Sequence, residues 1–228
     1  IEFIKDLTKE DLPKQTSTIS LSYKLNFVQT DEKVTSVSQE NNFKTYSVGD
    51  EFCLENECFY VIKDNGTTVD ALAKRNVNIK INRQDAKANT LAFAEKTNGS
   101  YGYWIDSKGN LLSKYGASYP ANVFDSNSLL YEPVQNYKTY LKNTLGKTSV
   151  DARLITYEEL TSLGCNESKK TCKSAPSWLY STWYWTAAAS GTNSVWSVHQ
   201  YGNFLYDYFA KLGYYGLRPV ITISKSEI

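Results

Sequence analysis

The chain has 228 residues, with 25 Lys+Arg against 24 Asp+Glu and a net charge of +1. That length suits one full domain plus an appendage, and the charge balance argues against nucleic-acid binding carried by bulk charge. Hydrophobic residues at 41% and charged residues at 21% are compatible with a packed core and argue against wholesale disorder.

Scarce residue types narrow the chemistry further. There is no Met and one His, so a multi-His metal site is impossible and a His-based triad would depend on His199 alone. No apolar run reaches the length of about 18 residues that a membrane helix needs. Residue 1 is Ile, which reads as a trimmed or mature chain. Any signal peptide or membrane anchor is then expected upstream of it.

Ile1–Leu12 is a short charged amphipathic piece ended by Pro13. Ile19, Leu21, Tyr23, Leu25 and Phe27 alternate and predict a half-buried strand. Gln29–Asn42 is polar and reads as a loop or linker. Residues 1–45 together read as an N-terminal extension or stalk.

From Thr45 the pattern is a meander. Tyr46–Cys53 and Cys58–Lys63 predict a hairpin. Asp64-Asn65-Gly66 predicts a tight turn, because Asn and Gly tolerate positive φ, and Thr67–Ala73 follows as a strand. Residues 76–128 are loop-rich, with apolar pieces at Thr90–Ala94 and Tyr101–Ile105.

Two helices are predicted next. Pro133–Leu145 places Val134, Tyr137, Tyr140 or Leu141, and Leu145 on one face and stops at Gly146. Thr156–Leu163 opens on Thr156-x-x-Glu159, a capping box, and stops at Gly164. The last strand, Arg218–Ser224, carries Val220 and Thr222 on one face and Ile221 and Ile223 on the other, the two-faced burial of a central strand.

The four Cys fall into two local pairs, Cys53 with Cys58 and Cys165 with Cys172. Each pair brackets a short polar stretch, as a disulfide across a hairpin or loop does. A four-Cys zinc site and free thiols are the rivals, but neither pair has the two-residue spacing common in zinc ribbons. Two disulfides would imply an oxidising compartment.

Thirteen of the 32 aromatic residues fall between Trp178 and Tyr215. Tyr dominates there, interleaved with Ser, Gly, Asn, Asp and Ala. Tyr offers a large rigid surface with few torsions to freeze, and Ser, Gly and Asn add adaptable hydrogen bonding, the mixture antibody combining sites use. Trp183, Trp185 and Trp196 read as core anchors. Ser197–Tyr215 lacks the period of about 2 or 3.6 that a packed element shows, and reads as exposed.

Tyr184-Trp185-Thr186, Val195-Trp196-Ser197-Val198, Gly202-Asn203-Phe204 and Gly216-Leu217-Arg218-Pro219-Val220-Ile221 resemble the C-terminal part of the C-type lectin fold. The branch they resemble is that of the target proteins of diversity-generating retroelements. Val48-Gly49-Asp50-Glu51-Phe52-Cys53, Cys58-Phe59-Tyr60-Val61-Ile62, Tyr119-Pro120-Ala121, Asp125-Ser126-Asn127-Ser128 and Ala152-Arg153-Leu154-Ile155-Thr156 resemble gut Firmicutes surface proteins with such an ending. The resemblance spans about residues 45–228.

The resemblance implies an α+β C-type lectin fold: two helices, small antiparallel sheets and many loops over 46–228, with a variable region at 178–217. In that family, error-prone reverse transcription rewrites template adenines, so an Asn codon can become Tyr, Ser, Asp, Phe, Ala, Gly, His or Leu but not Trp. The implied ligand-binding residues are Ser197, His199, Gln200, Tyr201, Leu205, Tyr206, Asp207, Tyr208, Phe209, Ala210, Lys211, Leu212, Tyr214 and Tyr215, and the Trp residues become scaffold.

The chain departs from the calcium-dependent lectins of this fold. It has Glu132-Pro133-Val134 and Ser194-Val195-Trp196 where those lectins carry their calcium-and-sugar words, and 178–215 holds one acid, Asp207. Calcium clusters oxygen ligands, so calcium-dependent sugar binding is not expected and no cofactor is implied. Formylglycine-generating enzymes share the fold but need reactive Cys residues, whereas Cys165 and Cys172 read as structural.

The expectation is a non-enzymatic, secreted or surface-tethered binding protein with a protein or glycan ligand. No nucleic-acid partner is expected, and membrane contact only through an upstream anchor. A lectin-fold adhesin without diversification is the alternative, and a formylglycine-generating-enzyme-like enzyme the more distant one.

Overall fold

The computed structural model describes residues 43–95 and 103–228, with the side chains of 203–209 left out. The Ile1–Leu12 piece, the Ile19–Phe27 strand and nearly all of the 1–45 extension lie outside the described residues. The chain divides after Asn41, and the second unit, from Asn42, is the one described below.

The architecture is mixed α+β. The strands are β1 (Glu51–Leu54), β2 (Glu57–Asp64), β3 (Thr68–Ala73), β4 (Val77–Asn78), β5 (Arg83–Gln84), β6 (Thr90–Leu91), β7 (Ala121–Asn122), β8 (Asp151–Arg153), β9 (Tyr184–Ala189), β10 (Ser194–His199), β11 (Asn203–Phe209), β12 (Tyr215–Gly216) and β13 (Val220–Ser224). The helices are α1 (Tyr131–Asn143) and α2 (Tyr157–Ser162).

A five-stranded sheet runs β1-β2-β3-β13-β8. A six-stranded sheet has the path β11-β10-β9-β12-β6, with β7 paired to β9. Strands β4 and β5 form a small ribbon. Pairing is antiparallel except between β12 and β9.

The β1–β2 hairpin follows from period-2 patterning. Phe52 and Leu54 are buried while Glu51 and Cys53 face out. Its register sets Cys53 opposite Cys58, and the two form a disulfide. Asp64 Oδ1 accepts from the Gly66 amide at 2.8 Å in the next turn, where Gly66 has φ +85°. A side chain would be strained there. Cys165 and Cys172 form the second disulfide, closing a loop that also carries the Asn166–Thr171 bridge. No described cysteine is free, so the zinc and free-thiol alternatives are not taken.

α1 keeps the length of its sequence pattern but lies two residues earlier, and α2 is shorter than its pattern. α1 begins at Tyr131, two residues before Pro133, because proline is tolerated in a first turn whose amides have no helical acceptor. Val134, Tyr137 and Leu141 form its buried face. α2 has the full capping box: Thr156 Oγ1 accepts from the Glu159 amide at 3.3 Å, and Glu159 Oε2 accepts from the Thr156 amide at 2.9 Å.

Two cores result. The first gathers Phe59, Val61, Ala71, Tyr137, Leu141, Trp185, Ile221 and Ile223. The second gathers Ile62, Leu72, Leu160, both members of the Cys165–Cys172 pair, Tyr184, Trp196 and Val220. β9 serves both, sending Trp185, Ala187 and Ala189 to the first and Tyr184 and Ala188 to the second. β13 does the same between β3 and β8, as a central strand with two buried faces must.

Candidate ligand-binding face

The face is built at one end of the six-stranded sheet. Val198 of β10 and Gly216 of β12 both pair with Tyr184, the first residue of β9. That register brings Trp183, His199 and Tyr215 together. The Trp183 and His199 rings pack at a tilt with centroids 3.7 Å apart, and Tyr215 lies 6.1 Å from Trp183. His199 Nδ1 is 2.9 Å from the Gln200 carbonyl.

Backbone contacts lock this corner. The Trp183 carbonyl accepts from the Gly216 amide at 3.0 Å and from Asn76 Nδ2 at 2.9 Å. Asn76 Oδ1 accepts from Thr182 Oγ1 at 3.0 Å. Beneath it, the Arg218 side chain is wholly buried. Arg218 donates to four carbonyls: Nε to Ala73 at 2.6 Å, Nη1 to Leu179 at 2.9 Å, and Nη2 to Trp178 at 2.9 Å and Lys74 at 3.4 Å. Its guanidinium also sits 5.1 Å from the Tyr184 ring centroid. Burial pushes the Arg218 pKa down, and burial pushes the Tyr184 phenol up. Carbonyl dipoles and the ring face take the place of a carboxylate partner.

The residues expected to bind ligand are not all on this surface. Tyr201 is 72% exposed and Tyr214 57%. Gln200 and Lys211 are exposed, and His199 and Leu212 half-buried. Ser197 and Ala210 are buried, and Tyr215 is 3% exposed. The exposure expected over Ser197–Tyr215 therefore fails at these three, and also at Val198 and Gly202. β10 is an inner strand with a core on each side, and Tyr215 packs on Trp185 at 4.7 Å. The missing period has a structural source: β10 carries register shifts on both neighbours, between Val195 and Ser197 and between Ser197 and Val198. Leu205, Tyr206, Asp207, Tyr208 and Phe209 lie on β11, and their side chains lie outside the described residues.

Trp185 and Trp196 are core anchors as expected, but Trp183 is 38% exposed. It precedes β9 at the open end of the sheet, so one face meets His199 and another borders solvent. Tyr201 sits in the β10–β11 turn with φ +84°. A positive φ is costly for a bulky residue, so the hairpin register overrides the local preference.

Trp183 and Gln200 also border a cleft of about 550 Å³ shared with Lys74, Arg75, Asn76, Asp85 and Thr182. These scaffold residues were not singled out by sequence, because isolated Lys, Arg, Asn and Asp in a loop-rich stretch look like an ordinary solvated surface. The Lys87 amide and then Asn78 Nδ2 hold the Asp85 carboxyl below its usual range. Lys74 pairs with Glu51 at 2.6 Å.

Among the described residues there is no cluster of three or more His, Cys, Asp or Glu suited to a metal ion, and no helix is long and apolar enough to cross a membrane. No protein-family model, curated protein or solved structure matches this chain.

Proposed function

We propose that the chain is a secreted or surface-displayed binding protein of the C-type lectin fold, without enzymatic activity. Its Tyr-rich face would be diversified in the manner of retroelement target proteins. The observation that carries this is the exposed aromatic set at one end of the six-stranded sheet. Tyr201 and Tyr214, close in the chain to the packed His199 and Tyr215, leave most of their surface to solvent. Large exposed aromatics on a rigid support are the anchors that binding surfaces use. Tyr201 in an unfavourable backbone region adds to this, because strain of that kind concentrates at functional positions. Two disulfides accord with an extracellular setting.

Two experiments test the reading. In the source genome, a near-copy of the 3′ end of the gene, differing at adenines and lying beside a reverse transcriptase gene, is expected. Its absence removes diversification and leaves an ordinary adhesin. In the protein, Tyr201→Ala with Tyr214→Ala should abolish binding to a ligand selected from arrays of glycans and surface proteins, with the melting temperature nearly unchanged. Retained binding would overturn the assignment of this face.

A further inference from the structure

The cleft beside Trp183 shares Lys74 and Arg75 with a second cavity of about 410 Å³, which adds Glu57, Arg83 and Gln84. The two adjoin at Lys74 and Arg75 as a groove whose lining carries Lys74, Arg75 and Arg83 together with Asp85 and Glu57. Its functional groups are not equally available. Asn76 spends both ends of its amide on Trp183 and Thr182. Asp85 accepts from Asn78 and the Lys87 amide, and Lys74 is paired with Glu51. Glu57, at the second cavity, is buried and accepts from Tyr137 Oη and the Gln84 amide through one oxygen.

What remains is Glu57 Oε1, buried without a hydrogen-bond partner among the described residues, and two guanidiniums. Arg75 and Arg83 are exposed, and no side-chain hydrogen bond or ion pair engages either guanidinium among the described residues. The Trp183 ring borders the same groove. A polyhydroxyl ligand is read by free amides and carboxylates around an aromatic ring, and here those groups are largely occupied. Two guanidiniums without a direct side-chain partner among the described residues, Arg83 feeling the charge of nearby Asp85, and an aromatic wall suit a chain that carries carboxylates and an apolar side chain.

We propose that this groove takes an acidic peptide segment, with carboxylates on Arg75 and Arg83 and an apolar side chain against Trp183. The proposal names a partner chemistry for one rim of the binding face and rests on the binding reading above. Gln200 is the one groove residue among those expected to bind ligand, so other residues supply the affinity for acidic chains.

The test is fluorescence anisotropy with a short labelled peptide in which Glu and Asp flank one Leu. The same peptide with Gln and Asn, and an oligogalacturonate, serve as comparisons. The acidic peptide should bind in a salt-sensitive manner, with the amide version weaker by about tenfold or more. Arg75→Gln with Arg83→Gln should weaken it by a similar factor of about ten. Arg83→Gln alone is the second variant should the pair perturb folding. Equal affinity for acidic and amide peptides, an unchanged Kd in the Arg variants, or preference for oligogalacturonate would overturn the proposal. Tyr201→Ala with Tyr214→Ala reports on the aromatic face separately. If that variant loses a selected ligand while the Arg variants bind the peptide like wild type, the face stands and the groove falls.

Discussion

Asn76 and Gly216 lie so close that a Cβ at 216 would overlap the Asn76 amide. The contact cannot relax by rotating Asn76 away. Its Nδ2 holds the Trp183 carbonyl and its Oδ1 holds the Thr182 hydroxyl. The bare backbone at 216 is thus what lets a loop residue from the first half of the chain fasten the corner that carries Trp183.

Gly216→Ala should therefore destabilise the protein by about 1–3 kcal/mol, the usual cost of overpacking. Adding Asn76→Ala should recover part of that loss, because the two residues share one contact. Urea denaturation of the four variants of the cycle measures this. Additive effects would show that the crowding is not the cause.

Arg218→Met should be among the most damaging single substitutions, at about 3–5 kcal/mol by analogy with breaking a buried charged network. It removes the donors to the Ala73, Trp178, Leu179 and Lys74 carbonyls. Buried acceptors left without donors account for much of that cost. Thermal unfolding decides: a loss below about 1 kcal/mol, the scale of an ordinary surface substitution, would contradict it.

Acid should weaken the link between the chain's last turn and the β2–β3 corner. The Lys225 ammonium, then the Tyr46 and Gly66 amides, lower the Asp64 carboxyl to about 2 from a reference of 3.8. The folded value lies below the unfolded one, so the folded state binds fewer protons. This contribution is complete above about pH 4 and is lost as pH falls toward about 2. Asp64→Asn should flatten the dependence of melting temperature on pH across that window. An unchanged slope would rule out the linkage.

The two disulfides should differ in reactivity. Cys165 and Cys172 are buried in the second core, whereas Cys53 is exposed on β1. Under native conditions a mild reductant followed by alkylation should label Cys53 and Cys58 first. Replacing the buried pair with Ala should cost more than replacing the exposed pair, for which short-loop entropy supplies about 2 kcal/mol. Mass spectrometry of labelled fragments and two melting curves test both statements.

Tyr214 and Tyr215 are neighbours with opposite fates. Tyr214→Ala should change stability by less than about 0.5 kcal/mol, as at other exposed sites. Tyr215→Ala should cost about 3 kcal/mol or more, in the range for buried aromatics, because its ring packs on Trp185. Similar melting temperatures for the two variants would show that Tyr215 is not a core residue.

What the sequence alone determined is local. The segments on either side of the first Cys pair set out the β1–β2 hairpin, Asn65-Gly66 the turn and Thr156-x-x-Glu159 the cap, while the Cys spacing favours the bridges over zinc or free thiols. Each depends on residues a few positions apart, so chain connectivity carries the information. The alternating faces of Val220–Ser224 likewise mark a central strand, because burial on both sides leaves no polar face.

The tertiary structure decided the rest. Trp183 and Trp185 are two residues apart in the same aromatic run, yet one is exposed and the other is core. Their difference comes from where the sheet ends, which β10 and β12 set from afar. The irregular run from Ser197 looks like open surface because two register shifts in β10 erase the period, while burial on both sides still encloses Ser197. Arg218 reads as a lone cation in an apolar stretch, and its role exists only once four carbonyls from distant segments converge on it. Such residues answer to contacts made across the whole domain, and nothing in their immediate neighbours encodes them.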